Sequence, residues 1–288
     1  MWVTTKRKYK KRKPNILPIT VKAEPKEKKI DLSESFWAIK GQGNTNSCAA
    51  FAVVSVVQYI MNKGEILENK DELSERFLYR ESIKYDTISK HGYFSNGIYL
   101  TSALHIASSI GICTEKMFPF YQNEEELIKG EINENIDPSI SAFEDAAKYK
   151  VSIYGYIKEL NSSLYNKKDK ILSIKKVLSL DLPVIICYKN SFGWIDSWYS
   201  FYTGYIMDPG YGSSGRHCVV IVGYDDDLQI FKFRNSWDGK LFYWGDKGYG
   251  YIKYEDINII TQGWIVAGIK IKETEEDQIQ IARSQFKI

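Results

Sequence analysis

Residues 47 to 62 read SCAAFAVVSVVQYIMN, an apolar run too long for a strand and closed by Gly64, which predicts a buried helix. A second helix is expected over Ser74 to Ser82, and a third over Tyr99 to Ile110 with Gly111 at its end. After Pro138 the segment SISAFEDAAKYK begins as helix and gives way to the alternating run VSIYGYI. Residues 150 to 272 then hold the β-branched and aromatic runs PVIICY, HCVVIVGY, LQIFKFRNSW and YGYIKY, interrupted by one short helix over Ile171 to Leu180. A helix-rich first half followed by a strand-rich second half predicts an α+β protein of two lobes with a cleft between them.

Composition changes this picture at the ends of the chain. The 288 residues can bury a sizeable core, and 44% of them are hydrophobic. The 34 Tyr and Phe residues favour sheet. The formal charge of +3 is a property of the tail: Lys6, Arg7, Lys8, Lys10, Lys11, Arg12 and Lys13 supply seven positives in eight positions, and the remainder carries −4. Lys6 to Lys13 therefore read as a solvated tail, a targeting signal or a polyanion contact. Residues 1 to about 30, with Pro14, Pro18 and Pro25, read as an extended or disordered leader, folding being expected to begin near Asp31. No signal peptide opens the chain, and no apolar run reaches the ~18 residues of a membrane span. The expected setting is reducing and intracellular, with a virion or host cell as the viral alternative.

Four cysteines at wide spacings, Cys48, Cys113, Cys187 and Cys218, form no CxxC pair, and Cys187 and Cys218 lie in apolar runs as core residues would. Cys48 begins the first helix. Read from GQGNTNSCAAF alone, it is either a buried thiol or a nucleophile; the helix N-terminus would favour its thiolate. A catalytic thiol needs a base, a group to orient that base and donors for an oxyanion. Of three histidines, His105 falls inside a helix and His91 in a polar loop, whereas His217 begins the strand HCVVIVGY. Asn235 ends the next strand across the turn at Asp225 to Asp227, so a hairpin would bring the two together and let the amide fix the imidazole tautomer. Trp237 would shield that bond, and Gln42 would aim its amide, with the Cys48 N–H, at an oxyanion.

These blocks resemble the papain-like cysteine proteases. The family's Gln-Gly-x-x-x-Ser-Cys-x-Ala-Phe is met by Gln42, Gly43, Ser47, Cys48, Ala50 and Phe51. Its His block is met by His217 and Val222-Gly223-Tyr224, its Asn-Ser-Trp by Asn235, Ser236 and Trp237, and its later glycines by Trp244-Gly245 and Gly248-Tyr249. The resemblance runs over about residues 31 to 270. It implies a helical lobe near 40–145, an antiparallel, β-barrel-like lobe near 146–272 with a charged tail after it, and a catalytic Cys48–His217–Asn235 triad. It further implies an oxyanion hole of Gln42 and Cys48, protein or peptide substrates, and no metal or cofactor. Gly97 is either a backbone contact for extended substrate or a turn glycine.

Several positions depart from the family. Thr45 stands where many members have a disulfide cysteine, Ala49 replaces a tryptophan, and KLFY lengthens the segment after Trp237. The leader is far shorter than the usual helical prosegment, so the expectation is a short autoinhibitory segment cut near residue 30, against a plain tail. The activity implied is endopeptidase, with a transferase or ligase, or a silent binding module, as alternatives on the same scaffold.

Overall fold

The long apolar run forms α1 (Cys48–Lys63), buried around most of its circumference from Ala49 to Val57. A computed structural model describes residues 16, 18–64, 71–89, 97–190, 198–206, 215–237, 244–270 and 286–287. Beside α1 pack α2 (Glu75–Ser89), which runs seven residues past its expected end, and α3 (Leu100–Ser109). Two further helices, α4 (Glu124–Lys129) and α5 (Ile140–Ala146), complete the helical lobe. Asn123 caps α4, its side chain accepting from the Glu126 N–H, with three glutamates in the first turn to complement the helix dipole. Asn166 caps α6 (Lys167–Leu178) in the same way through the Asp169 N–H, which starts that helix four residues before the predicted position.

The strands are β1 (Pro18–Val21), β2 (Lys29–Asp31), β3 (Lys150–Ile157), β4 (Val184–Asn190), β5 (Tyr205–Ile206), β6 (Gly215–Asp225), β7 (Ile230–Arg234), β8 (Tyr249–Lys253), β9 (Ile260–Lys270) and β10 (Phe286–Lys287). A short helix, α7 (Trp198–Thr203), precedes β5. The strand order is β10-β1-β3-β9-β4-β6-β7-β8-β5, with β2 added to β6. β6 reads as a continuous apolar run because both of its faces are covered. Cys218, Val220 and Val222 join the core built with α1, α2 and α3, while Val219 and Ile221 join Ile174, Val177 and Leu178 of α6 on the other side.

Two expectations need correction. The sheet is open and mixed, not barrel-like: β1 pairs parallel with β3 and β5 parallel with β8, so each end is extended instead of being joined to the other. The α+β class itself stands. The second correction concerns the leader, whose latter half is part of the sheet from Pro18 onward. Pro18 is the first residue of β1, a position where a missing N–H is tolerated. Ile30 pairs with Tyr224, and the Tyr224 hydroxyl donates to the Glu27 carbonyl. A cut near residue 30 would sever β2. That strand lies seven residues along β6 from His217, or about 24 Å at strand rise, so residues 29–31 do not reach the end of β6 that carries His217. Lys6 to Lys13, KLFY, His91 and most of the tail after residue 270 lie outside the described residues.

Cys187 and Cys218 are buried, as expected of core residues, but they are bonded to each other. They face one another in the β4–β6 register with Cα atoms 4.2 Å apart. Cys48 and Cys113 are free. Oxidising conditions preserve such a bond, so the cysteine pattern no longer argues for a reducing setting.

Candidate functional site

Cys48 is the first residue of α1, and its thiol feels the backbone N–H groups of Cys218, the residue after His217, and of Ala49. The helix start is thereby set against the start of β6. Burial pushes the thiol up, with those N–H groups pulling the other way. His217 is 4% exposed, and burial lowers its imidazole to about 4, with Asn235 opposing the shift. Each group alone is therefore held neutral by desolvation.

The His217–Asn235 contact fixes which nitrogen of the imidazole carries the hydrogen. Asn235 Oδ1 lies 2.8 Å from His217 Nε2 and also accepts from the Ser236 N–H at 2.9 Å. An atom that accepts from a backbone N–H is the amide oxygen, so Nε2 must carry the hydrogen and donate it. Nδ1 is left with its lone pair. The β6–β7 pairing brings the two residues together as the hairpin argument expected. Trp237 stacks on the imidazole with centroids 4.4 Å apart, and Trp244 meets Trp237 edge-on at 5.3 Å.

Gln42 is held from both sides. Its Nε2 donates to the Thr45 carbonyl at 2.6 Å, which leaves the second N–H of the amide free. Its Oε1 accepts from Ser236 Oγ at 2.6 Å, and its backbone N–H donates to the Ser236 carbonyl at 2.9 Å. Ser236 thus ties Gln42 to Asn235, the residue bonded to His217. The chain can turn after Gln42 because Gly43 has φ +57°, and a Cβ there would strike the Gly130 carbonyl and the Tyr121 hydroxyl. Gly97, with φ +132°, sits against Asn46, where a Cβ would come within 3.1 Å of the Asn46 carbonyl. It borders the loop that leads to Cys48. His105 stands apart, packed on Tyr85 at 4.6 Å.

Three residues that sequence reasoning did not single out build this site. Arg234 is buried, forms no ion pair among the described residues, and donates to the Trp37 and Ala38 carbonyls at 2.9 and 2.7 Å, with its guanidinium over Phe36. It pins the approach to Gln42 beside Asn235. Lys40 anchors the same approach from the other lobe, 2.5 Å from Glu75 and within 3.6 Å of Glu72 and Glu115. Tyr188 pairs with His217 in register and meets its ring edge-on. Among the described residues no cluster of three His, Cys, Asp or Glu is placed to hold a metal, and no helix is long and apolar enough to cross a membrane.

The family model of papain family cysteine proteases matches residues 26–265. Chymopapain of Carica papaya is 28% identical over 222 residues, covering 76% of this chain and 52% of its own. An uncharacterised peptidase C1-like protein of Acanthamoeba polyphaga mimivirus is 25% identical over 236 residues, covering 78% of this chain and 68% of its own. The chain spans about half the length of the first curated relatives it matches. Among solved structures, xylellain, a cysteine protease from Xylella fastidiosa, superposes with a TM-score of 0.69 at 22% identity, covering 89% of this chain and 91% of its own. Digestive procathepsin L 3 of Tenebrio molitor gives 0.62 at 18%, covering 86% and 72%. With the family model spanning most of the sequence and the fold shared, the chain belongs to the papain family of cysteine proteases.

Proposed function

We propose that this chain is a cysteine endopeptidase working through Cys48, His217 and Asn235. His217 Nδ1 takes the Cys48 proton, and the thiolate attacks the peptide carbonyl carbon. The free N–H of Gln42 and the Cys48 N–H receive the oxyanion. His217 then gives its proton to the leaving amine as the C–N bond breaks, leaving a thioester. A water molecule, deprotonated by His217, attacks the thioester; the acid leaves and the thiol is restored. The observation that carries this reading is the Asn235 oxygen held by the Ser236 N–H, which commits His217 to the tautomer with a basic Nδ1.

The acyl-enzyme is shared with transferases, so the test must separate acceptors. A quenched peptide library incubated with the chain, with and without an added amino-acid amide, should yield free carboxylate products in both cases. Cys48→Ala should yield none. Products that carry the added amide would instead identify a transferase, and a wild-type chain without turnover would leave a binding module.

A further inference from the structure

We infer that Thr45 is a positioning residue for Gln42, holding the turn before the nucleophile so that the free N–H of the Gln42 amide keeps one direction. The inference rests on the proposed thiol mechanism and extends it to the segment between Gln42 and Cys48. Thr45 closes on Gln42 at three points. Its N–H and its hydroxyl both donate to the Gln42 carbonyl, at 3.3 and 2.7 Å, and its own carbonyl accepts from Gln42 Nε2 at 2.6 Å. The backbone and the side chain of Gln42 are thus both held by one residue. A planar amide bound at its oxygen by Ser236 and at one N–H by Thr45 has its orientation fixed, and the second N–H with it.

The Thr45 hydroxyl is itself supported from the nucleophile side. Ser47 is the N-cap residue of α1 and is fully buried, yet its side chain makes no capping bond to the helix. A serine at that position ordinarily accepts from one of the first helical N–H groups. Its Oγ lies instead 2.6 Å from Thr45 Oγ1. Thr45 has one hydroxyl hydrogen, which goes to the Gln42 carbonyl, so Ser47 must be the donor to Thr45. The bonds therefore run in one direction, from Ser47 through Thr45 to Gln42, and the helix start forgoes its cap to support them. Asn44 ties the tip of the turn elsewhere, to the Gly130 and Lys129 carbonyls at 2.7 and 2.9 Å, and these bonds touch no atom of Gln42. Many family members carry a disulfide cysteine at position 45; here hydroxyls hold the turn in place of a covalent bridge.

Thr45→Val keeps the branched shape and removes the hydroxyl. The kcat for peptide hydrolysis should fall by about 10-fold, the scale of one hydrogen bond, with KM within twofold of wild type. Thr45→Ala, which cannot crowd the turn, should match it, and Thr45→Ser, which keeps the hydroxyl, should restore kcat to within about threefold of wild type. Two further readouts separate positioning from general support of the loop. In a Gln42→Ala background Thr45→Val should change kcat by less than about twofold, because the group it positions is gone. Cys48 alkylation by iodoacetamide should keep its wild-type rate in Thr45→Val, since displacement of iodide generates no oxyanion for Gln42 to receive. Turnover of Thr45→Val within twofold of wild type, an equal loss in the Gln42→Ala background, or a matching loss in alkylation would overturn the role of Thr45 and leave the mechanism in place. A wild-type chain that hydrolyses no peptide would overturn the mechanism and this inference with it.

Discussion

His217→Gln is expected to lower kcat/KM for peptide hydrolysis by about 10³-fold or more, within and beyond the range of a positioned general acid–base. Two losses combine in one substitution. Burial raises the Cys48 thiol, so without an imidazole to accept its proton the nucleophile stays protonated at neutral pH. The leaving amine also loses its proton donor. Glutamine retains a polar head group that can still reach Asn235, so the buried site is not left with a bare cavity. The wild-type pH profile carries a second signature: because burial holds His217 neutral down to about pH 4, activity should persist well below the ordinary histidine range. It should be lost only as pH falls through about 4, where protonation removes the base. Initial rates from pH 3.5 to 8 check this, and in His217→Gln that acid limb should be absent.

Gln42→Ala is the second large effect, with kcat expected to fall about 10²- to 10³-fold and KM to change little, as for removal of one preorganised oxyanion donor. Gln42 also accepts from Ser236 Oγ, so alanine could act by loosening that tie. Gln42→Glu resolves the ambiguity. A glutamate can still accept from Ser236 but has no N–H for the oxyanion, so it should be as defective as alanine in kcat. Turnover near wild type in Gln42→Glu would show that the position serves the Ser236 tie and not the transition state. Single-turnover measurements beside steady-state ones keep acylation distinct from product release.

Much of this site was legible because its members sit on strongly patterned segments. Cys48 begins an unmistakable apolar helix, and His217 and Asn235 flank a short turn between two strands, so local rules brought them together. What stayed hidden depends on pairing between distant strands. Nothing in PVIICY says that Tyr188 will face His217, or that Cys187 will face Cys218 thirty-one residues away; the β4–β6 register decides both at once. Arg234 read as an ordinary strand end, since its worth lies in two carbonyls nearly two hundred residues earlier. The prolines of the leader masked β1, because a strand opening with Pro looks like a breaker until a sheet receives it. The barrel-like expectation failed for a related reason: terminal strands that extend both edges of a sheet leave no local mark.

On the proposed mechanism His217 makes Cys48 a nucleophile where a thiol without a base would be inert. Brief treatment of the native protein with iodoacetamide at pH 6, followed by peptide mass spectrometry, tests it most directly. The site described here predicts that Cys48 is modified well ahead of Cys113, and that His217→Gln abolishes the difference. Cys48 left unmodified in native wild-type protein, or modified equally fast without His217, would contradict it.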